Sequence, residues 1–232
     1  MCGRYTITIT LEELMTRYLI EETGVPFHRP KYNVAPGQQV LAVIQGGGKN
    51  RLGELKWGLV PPWASDAKTG FSMINARSET AASKPAYKDA FLRKRCLLPA
   101  DGFYEWQATP KGKRPMRIIL KGAPVFSLAG LYETWISPDG SKLSTCTILT
   151  TEPNSLVAPI HDRMPVILRP EEETLWLDRQ EQNIDRLMPL LKPYPSDAME
   201  AYPVSGAVGN VRHDDPSLIV RKEEDSQQLE LW

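Results

Sequence analysis

Short strand-like runs, broken repeatedly by proline and glycine, make up most of this chain, and that punctuation limits what it can build. Runs of β-type residues are predicted at Arg4–Ile9, Val40–Ile44, Arg95–Trp106, Met116–Leu120, Val125–Tyr132, Leu143–Thr150, Met164–Leu168 and Ala198–Val204. The Asp101-Gly102 pair puts a turn or bulge inside the third of these, and Ser137-Pro138-Asp139-Gly140 is a turn joining two later ones. Gly46 to Asn50 forms a hairpin tip; it lacks the Gly-Lys-Ser/Thr ending of a phosphate cradle. Pro61-Pro62 excludes a central strand from the Trp57–Trp63 stretch, which is expected to be a shaped surface, and the proline-bounded stretch Pro26–Pro36 is expected to be a loop. Helices are few. Thr10-Leu11-Glu12-Glu13 is a capping box opening a helix from Leu11 to about Ile20, and others are predicted at Lys84–Phe91, Pro170–Asp178 and Ile184–Leu191. No twenty-to-fifty-residue period repeats. The pattern predicts an α+β fold: a curved, mostly antiparallel, barrel-like β-sheet core with a few peripheral helices.

Length and charge narrow the function classes. At 232 residues the chain can bury one sizeable core, so a single domain over residues 1–220 is expected, followed by a charged, disordered tail over 221–232. Formal net charge is zero, so any polyanion site must be a local patch of arginines and lysines. The three cysteines, Cys2, Cys96 and Cys146, match no zinc or disulfide spacing, which points to a reducing compartment and to no metal or cofactor. There is no leader-like segment and no apolar run long enough to span a bilayer, so a soluble, cytoplasmic, monomeric protein without a membrane partner is expected.

Cys2 carries the first chemical signal. If Met1 is removed, the chain begins with an amine and a thiol on adjacent carbons. An α-amino group is roughly a quarter neutral at cellular pH, against about 0.1% for a lysine, so it is the better nucleophile toward an aldehyde. The thiol can then close on the imine to give a thiazolidine. A thiol with an ordinary pKa needs a neighbouring cation or base, and Arg4 is near in sequence. Read without this chemistry, Cys2 is a small buried residue at the start of a strand.

Three further polar positions sit among apolar neighbours. Asn75 and Arg77 share one face of an extended segment, as an amide and a cation for a substrate, or as a turn cap and an arginine paired with Glu79. Glu105, between Tyr104 and Trp106, is either a carboxyl with a raised pKa or a salt-bridged residue on a solvent face. His161 is a proton shuttle or a satisfied structural histidine. None of these positions decides the case alone.

The motifs together do. Met1-Cys2-Gly3-Arg4-Tyr5, Tyr32 to Gly37, Trp57 to Trp63, Ile74 to Thr80, Asp101 to Trp106, Ile160 to Pro165 and Val204 to Asn210 resemble the SRAP family, the SOS response associated peptidases, understood as abasic-site processing proteins. The resemblance implies capture of the ring-opened aldehyde of an abasic site in single-stranded DNA as a thiazolidine crosslink, a lyase-type chemistry in the DNA damage response that shields the lesion from strand cleavage. It implies Cys2 as nucleophile, Asn75 as the residue orienting it, Glu105 as acid/base and His161 as proton donor near the imine. It also implies Arg4, Asn33, Pro36, Trp63, Arg77 and Arg163 as the DNA-binding set, and a peptidase activity that removes Met1. Competing readings are an N-terminal-nucleophile cysteine amidohydrolase, a papain-like protease using Cys96 and His161, and a non-catalytic nucleic-acid-binding module.

Overall fold

The computed structural model, which describes residues 2–222, contains fourteen strands among those residues, four of them (Ile20–Thr23, Lys31–Val34, Lys49–Trp57 and Asn75–Arg77) outside the predicted runs. They are β1 (Tyr5–Ile7), β2 (Ile20–Thr23), β3 (Lys31–Val34), β4 (Gln39–Gly46), β5 (Lys49–Trp57), β6 (Asn75–Arg77), β7 (Arg95–Ala100), β8 (Gly102–Thr109), β9 (Gly112–Leu120), β10 (Phe126–Ile136), β11 (Lys142–Thr151), β12 (Met164–Pro165), β13 (Ile167–Leu168) and β14 (Met199–Pro203). The α-helices are α1 (Leu11–Arg17), α2 (Ser78–Ala81), α3 (Lys88–Arg93), α4 (Pro170–Leu177) and α5 (Ile184–Leu187).

Strands β5, β4, β7, β10 and β11 pair antiparallel in that order, and β11 then returns to β5 with Thr145 opposite Lys56 and Cys146 opposite Trp57. The ring is a closed five-stranded barrel. An odd number of strands cannot close with every neighbour antiparallel, and the β5–β11 contact is the parallel one. Closure removes the edges that an open sheet would leave unpaired. Both faces of the barrel sheet are covered: Val43, Leu52, Leu97 and Leu131 lie on one and Trp57 and Ile148 on the other, all almost fully buried.

A second sheet, in the order β14, β9, β8, β1, β3, leaves the barrel at the β7–β8 corner. Asp101 makes that corner, as the turn signal predicts. Its carboxylate accepts from the Thr6 and Thr8 hydroxyls and the Thr8 amide, and Arg117 Nη2 donates to it at 3.2 Å. The buried carboxylate is thereby paired and hydrogen-bonded, which offsets the cost of burying it. This network ties β1, which follows Cys2 in the chain, to β8, which carries Glu105.

The hairpin tip and the Ser137–Gly140 turn form as expected; the helices expected at Lys84–Phe91 and Ile184–Leu191 are Lys88–Arg93 and Ile184–Leu187, and two other elements differ from their sequence patterns for clear reasons. Helix α1 has its capping box but stops at Arg17, because Leu19 takes a left-handed backbone (φ 48°) and Ile20–Thr23 pairs as a strand along β5. The Pro26–Pro36 stretch contains β3, which pairs with β1 and donates its Tyr32 and Asn33 amides to the Asp214 carboxylate, so tertiary partners convert an irregular-looking stretch into a strand. Of the expected tail, Arg221 and Lys222 are anchored, the first to Glu200 and over the Tyr202 ring and the second by its amide to Pro203 O. Residues 223–232 lie outside the described residues.

Candidate active site

Cys2 is fully buried at the junction of the two sheets. Strand β6 pairs parallel to β11, with Asn75 opposite Ile148 and Arg77 opposite Thr150, so Ala76 points into the core while Asn75 and Arg77 lie on the other side. From there Asn75 Nδ2 donates to the Cys2 carbonyl at 2.9 Å. That bond holds the backbone beside the thiol, whose Sγ lies 4.0 Å from Arg4 O. Burial pushes the Cys2 thiol well above its ordinary pKa, and the Glu105 carboxylate pushes it further the same way. The thiol is therefore neutral. The cation that sequence proximity suggested for it, the Arg4 guanidinium, turns elsewhere.

Strand alternation places Tyr104 and Trp106 on one face of β8, in a small apolar cluster with Tyr202, Val204, Val208 and Leu218, and Glu105 on the other. Both faces of the sheet are covered here, so Glu105 is also buried, at 2% exposure. Burial, with the nearby Asp162 charge acting in the same direction, raises its pKa from 4.5 to about 7. A carboxyl titrating there is present in both protonation states at neutral pH. The flanking aromatics that drew attention to it are not what buries it.

His161 lies on the loop before β12, its Nε2 3.8 Å from Glu105 Oε2. Its pKa is lowered by burial, so the ring is neutral near pH 7. Nδ1 has two neighbours: Asp162 Oδ1 at 2.8 Å and the Arg163 backbone N–H at 3.1 Å. The Asp162 side chain is 86% exposed and can turn into water, whereas the amide is fixed in the chain. The amide therefore keeps Nδ1 as acceptor, which leaves the proton on Nε2, toward Glu105.

The six other residues implied as DNA contacts divide by environment. Arg77 and Trp63 are exposed, Trp63 at 66%, and Pro36 is half-buried. Gly58 shapes this surface: at φ 130° its Cα side lies so close to the Gly70 carbonyl that a Cβ would sit 2.6 Å from the oxygen. Arg4 reaches Asn33 Oδ1 at 2.9 Å and Val208 O at 2.7 Å and lies over the Trp106 ring. Asn33 is 1% exposed, and its amide donates to the carbonyls of Val208, Asn210 and His213, so it ties β3 to the C-terminal segment. Arg163 is likewise engaged internally, with Glu79 and Thr150 O.

The motifs do not include Phe71, and they do not reveal the partner of Glu79. Phe71 is 70% exposed beside Gly37, and an aromatic next to the glycine-containing turn of residues 69–72 was the available signal. Glu79, a candidate partner for Arg77, pairs instead with Arg163 from a segment far away in sequence, which no local pattern announces. Among the described residues no cluster of His, Cys, Asp and Glu could hold a metal ion, and no helix is long and apolar enough to cross a membrane.

Known proteins share this arrangement of sequence and fold. The SOS response associated peptidase (SRAP) family matches residues 1–211. The abasic site processing protein YoqW of Bacillus subtilis is 49% identical over 221 residues, 94% of this chain and 99% of that protein. The abasic site processing protein HMCES of Gallus gallus is 35% identical over 225 residues, 83% of this chain and 66% of the relative. A solved structure from Bacteroides thetaiotaomicron superposes with a TM-score of 0.87 at 27% identity, covering 96% of this chain and 100% of that one.

Proposed function

The chain belongs to the SOS response associated peptidase family, and we propose that, with Met1 removed, it captures abasic sites in single-stranded DNA by forming a thiazolidine through Cys2. The observation that carries this reading is the grouping of a buried Cys2, an amide on its carbonyl, and a carboxyl titrating near neutrality beside a neutral imidazole.

The chemistry runs without any redox change. An abasic sugar is mostly a closed hemiacetal, so the C1′–O4′ bond must first break. Glu105 in its acid form donates a proton to O4′, and loss of the C1′ hydroxyl proton gives the aldehyde. The Cys2 amine adds to C1′, and His161 Nε2–H assists departure of the carbinolamine oxygen as water, leaving an imine. The thiol then adds across the C=N bond, sulfur to carbon, with its proton ending on nitrogen. Because the thiol is neutral, it needs a base for this step, and ionised Glu105 supplies one. Closure matters for the strand: an iminium acidifies C2′ and promotes β-elimination, whereas the ring carbon is saturated.

DNA binding is assigned to Arg77 and Arg4 for phosphates and to Trp63 and Phe71 as stacking surfaces, with Pro36 shaping the path. Base stacking on aromatics contributes about 1–3 kcal/mol per base, which suits a chain with no net positive charge. The test is to incubate the protein with a single-stranded oligonucleotide carrying one abasic site and to look for an adduct that survives denaturation. Intact mass should show Met1 absent and an adduct mass one water below the sum of its parts. An adduct that persists in Cys2→Ala overturns the assignment, and release of ammonia from glutamine would favour the amidohydrolase reading.

A further inference from the structure

Glu79, Thr150 and Arg163 meet at one guanidinium. Arg163 Nη1 donates to Glu79 Oε1 at 2.8 Å, and Nη2 donates to Glu79 Oε2 at 2.9 Å and to Thr150 O at 2.6 Å. A two-pronged contact between a planar guanidinium and a carboxylate fixes both the position and the plane of the arginine end. The Arg163 side chain is 16% exposed and the Glu79 side chain 47%, so solvent reaches the carboxylate, and it is the fixed geometry of the pair rather than its strength that matters here.

The three residues come from three segments of the site. Glu79 lies on α2, directly after the strand that carries Asn75. Thr150 lies on β11, in register with Arg77. Arg163 belongs to the loop of His161, and its backbone N–H is the fixed partner of His161 Nδ1. The guanidinium thus locks the His161 loop onto the elements that hold Cys2.

We propose that Glu79 is a positioning residue: by holding the Arg163 guanidinium it fixes the Arg163 amide, and through that amide the plane and tautomer of the His161 ring relative to Glu105 and Asn75. What His161 does with its proton rests on the abasic-capture reading above; that Glu79 sets the ring does not. The competing role for Glu79 is a surface anion that merely occupies Arg163. That role predicts the opposite outcome, because removing the anion frees a guanidinium for phosphate and tightens DNA binding.

The experiment uses the full chain with ¹⁵N-labelled histidine, of which there are three, as wild type, Glu79→Gln and Arg163→Lys. Wild type at pH 8 should show His161 as a single Nε2–H tautomer. Each variant should show a mixture of tautomers and form the adduct roughly tenfold more slowly, with affinity for an undamaged single strand changed less than about twofold. A wild-type tautomer in Glu79→Gln overturns the proposal, as does tighter DNA binding at an unchanged rate. If wild type itself forms no adduct, the capture reading falls, and the ring spectra still decide the role of Glu79.

Discussion

Replacing Glu105 by glutamine should change how stability depends on pH, and the structure supplies the size of the effect. In the folded protein this carboxyl titrates at about 7, against 4.5 ordinarily, because burial disfavours its charged form. Between those values the folded protein keeps a proton that the unfolded chain has lost. Stability therefore falls as pH rises through the window, and the cost is complete only above the folded value. For this shift the loss from pH 5 to pH 8 is about 2.5 kcal/mol, and about 3 kcal/mol relative to strong acid. Glutamine has the same shape and no proton to lose, so Glu105→Gln should escape that loss. Urea denaturation of both proteins at pH 5, 6.5 and 8 measures it. Other titrating groups are common to both proteins and largely cancel in the difference. The variant should gain on wild type by about 2.5 kcal/mol between the two ends of the series. Parallel curves for the two proteins would mean that Glu105 is not held in a desolvated site and would remove its assignment as a proton donor at neutral pH. The same substitution should flatten the pH profile of adduct formation around pH 7 and slow it by roughly 10²–10⁴-fold.

Other perturbations test the scaffold and the strand path. Asn75→Ala removes the donor to the Cys2 carbonyl and should cost about 1 kcal/mol in thermal or urea denaturation while slowing adduct formation. Arg117→Ala leaves the Asp101 carboxylate buried without its cation, and a loss of about 3–5 kcal/mol is expected in the same assay. Gly58→Ala forces a Cβ against the Gly70 carbonyl at a left-handed backbone, so a lower melting temperature equivalent to at least about 1–3 kcal/mol should follow. Arg77→Gln should weaken single-strand binding and reduce the slope of log affinity against log salt by about 0.7, the contribution of one phosphate contact; an unchanged slope would exclude a phosphate role.

The order of residues was enough to determine the short strands, the capping box at Thr10, the Asp101 corner and the shared face of Asn75 and Arg77, because each depends on neighbours within a few positions. Periodicity and turn chemistry act at that range. The motif set was enough for the family, since it runs along nearly the whole chain. Only the tertiary structure decided the rest. Barrel closure requires β11 to meet β5 across a long stretch of sequence, and β3 becomes a strand because Asp214 and β1 lie on either side of it. Glu105 is buried from the face opposite its aromatic neighbours, Asn33 faces inward, Arg4 turns from the thiol to Val208, and Glu79 finds Arg163. Desolvation and ion pairing depend on what surrounds a group in space, and a linear sequence carries that only after the chain has closed on itself.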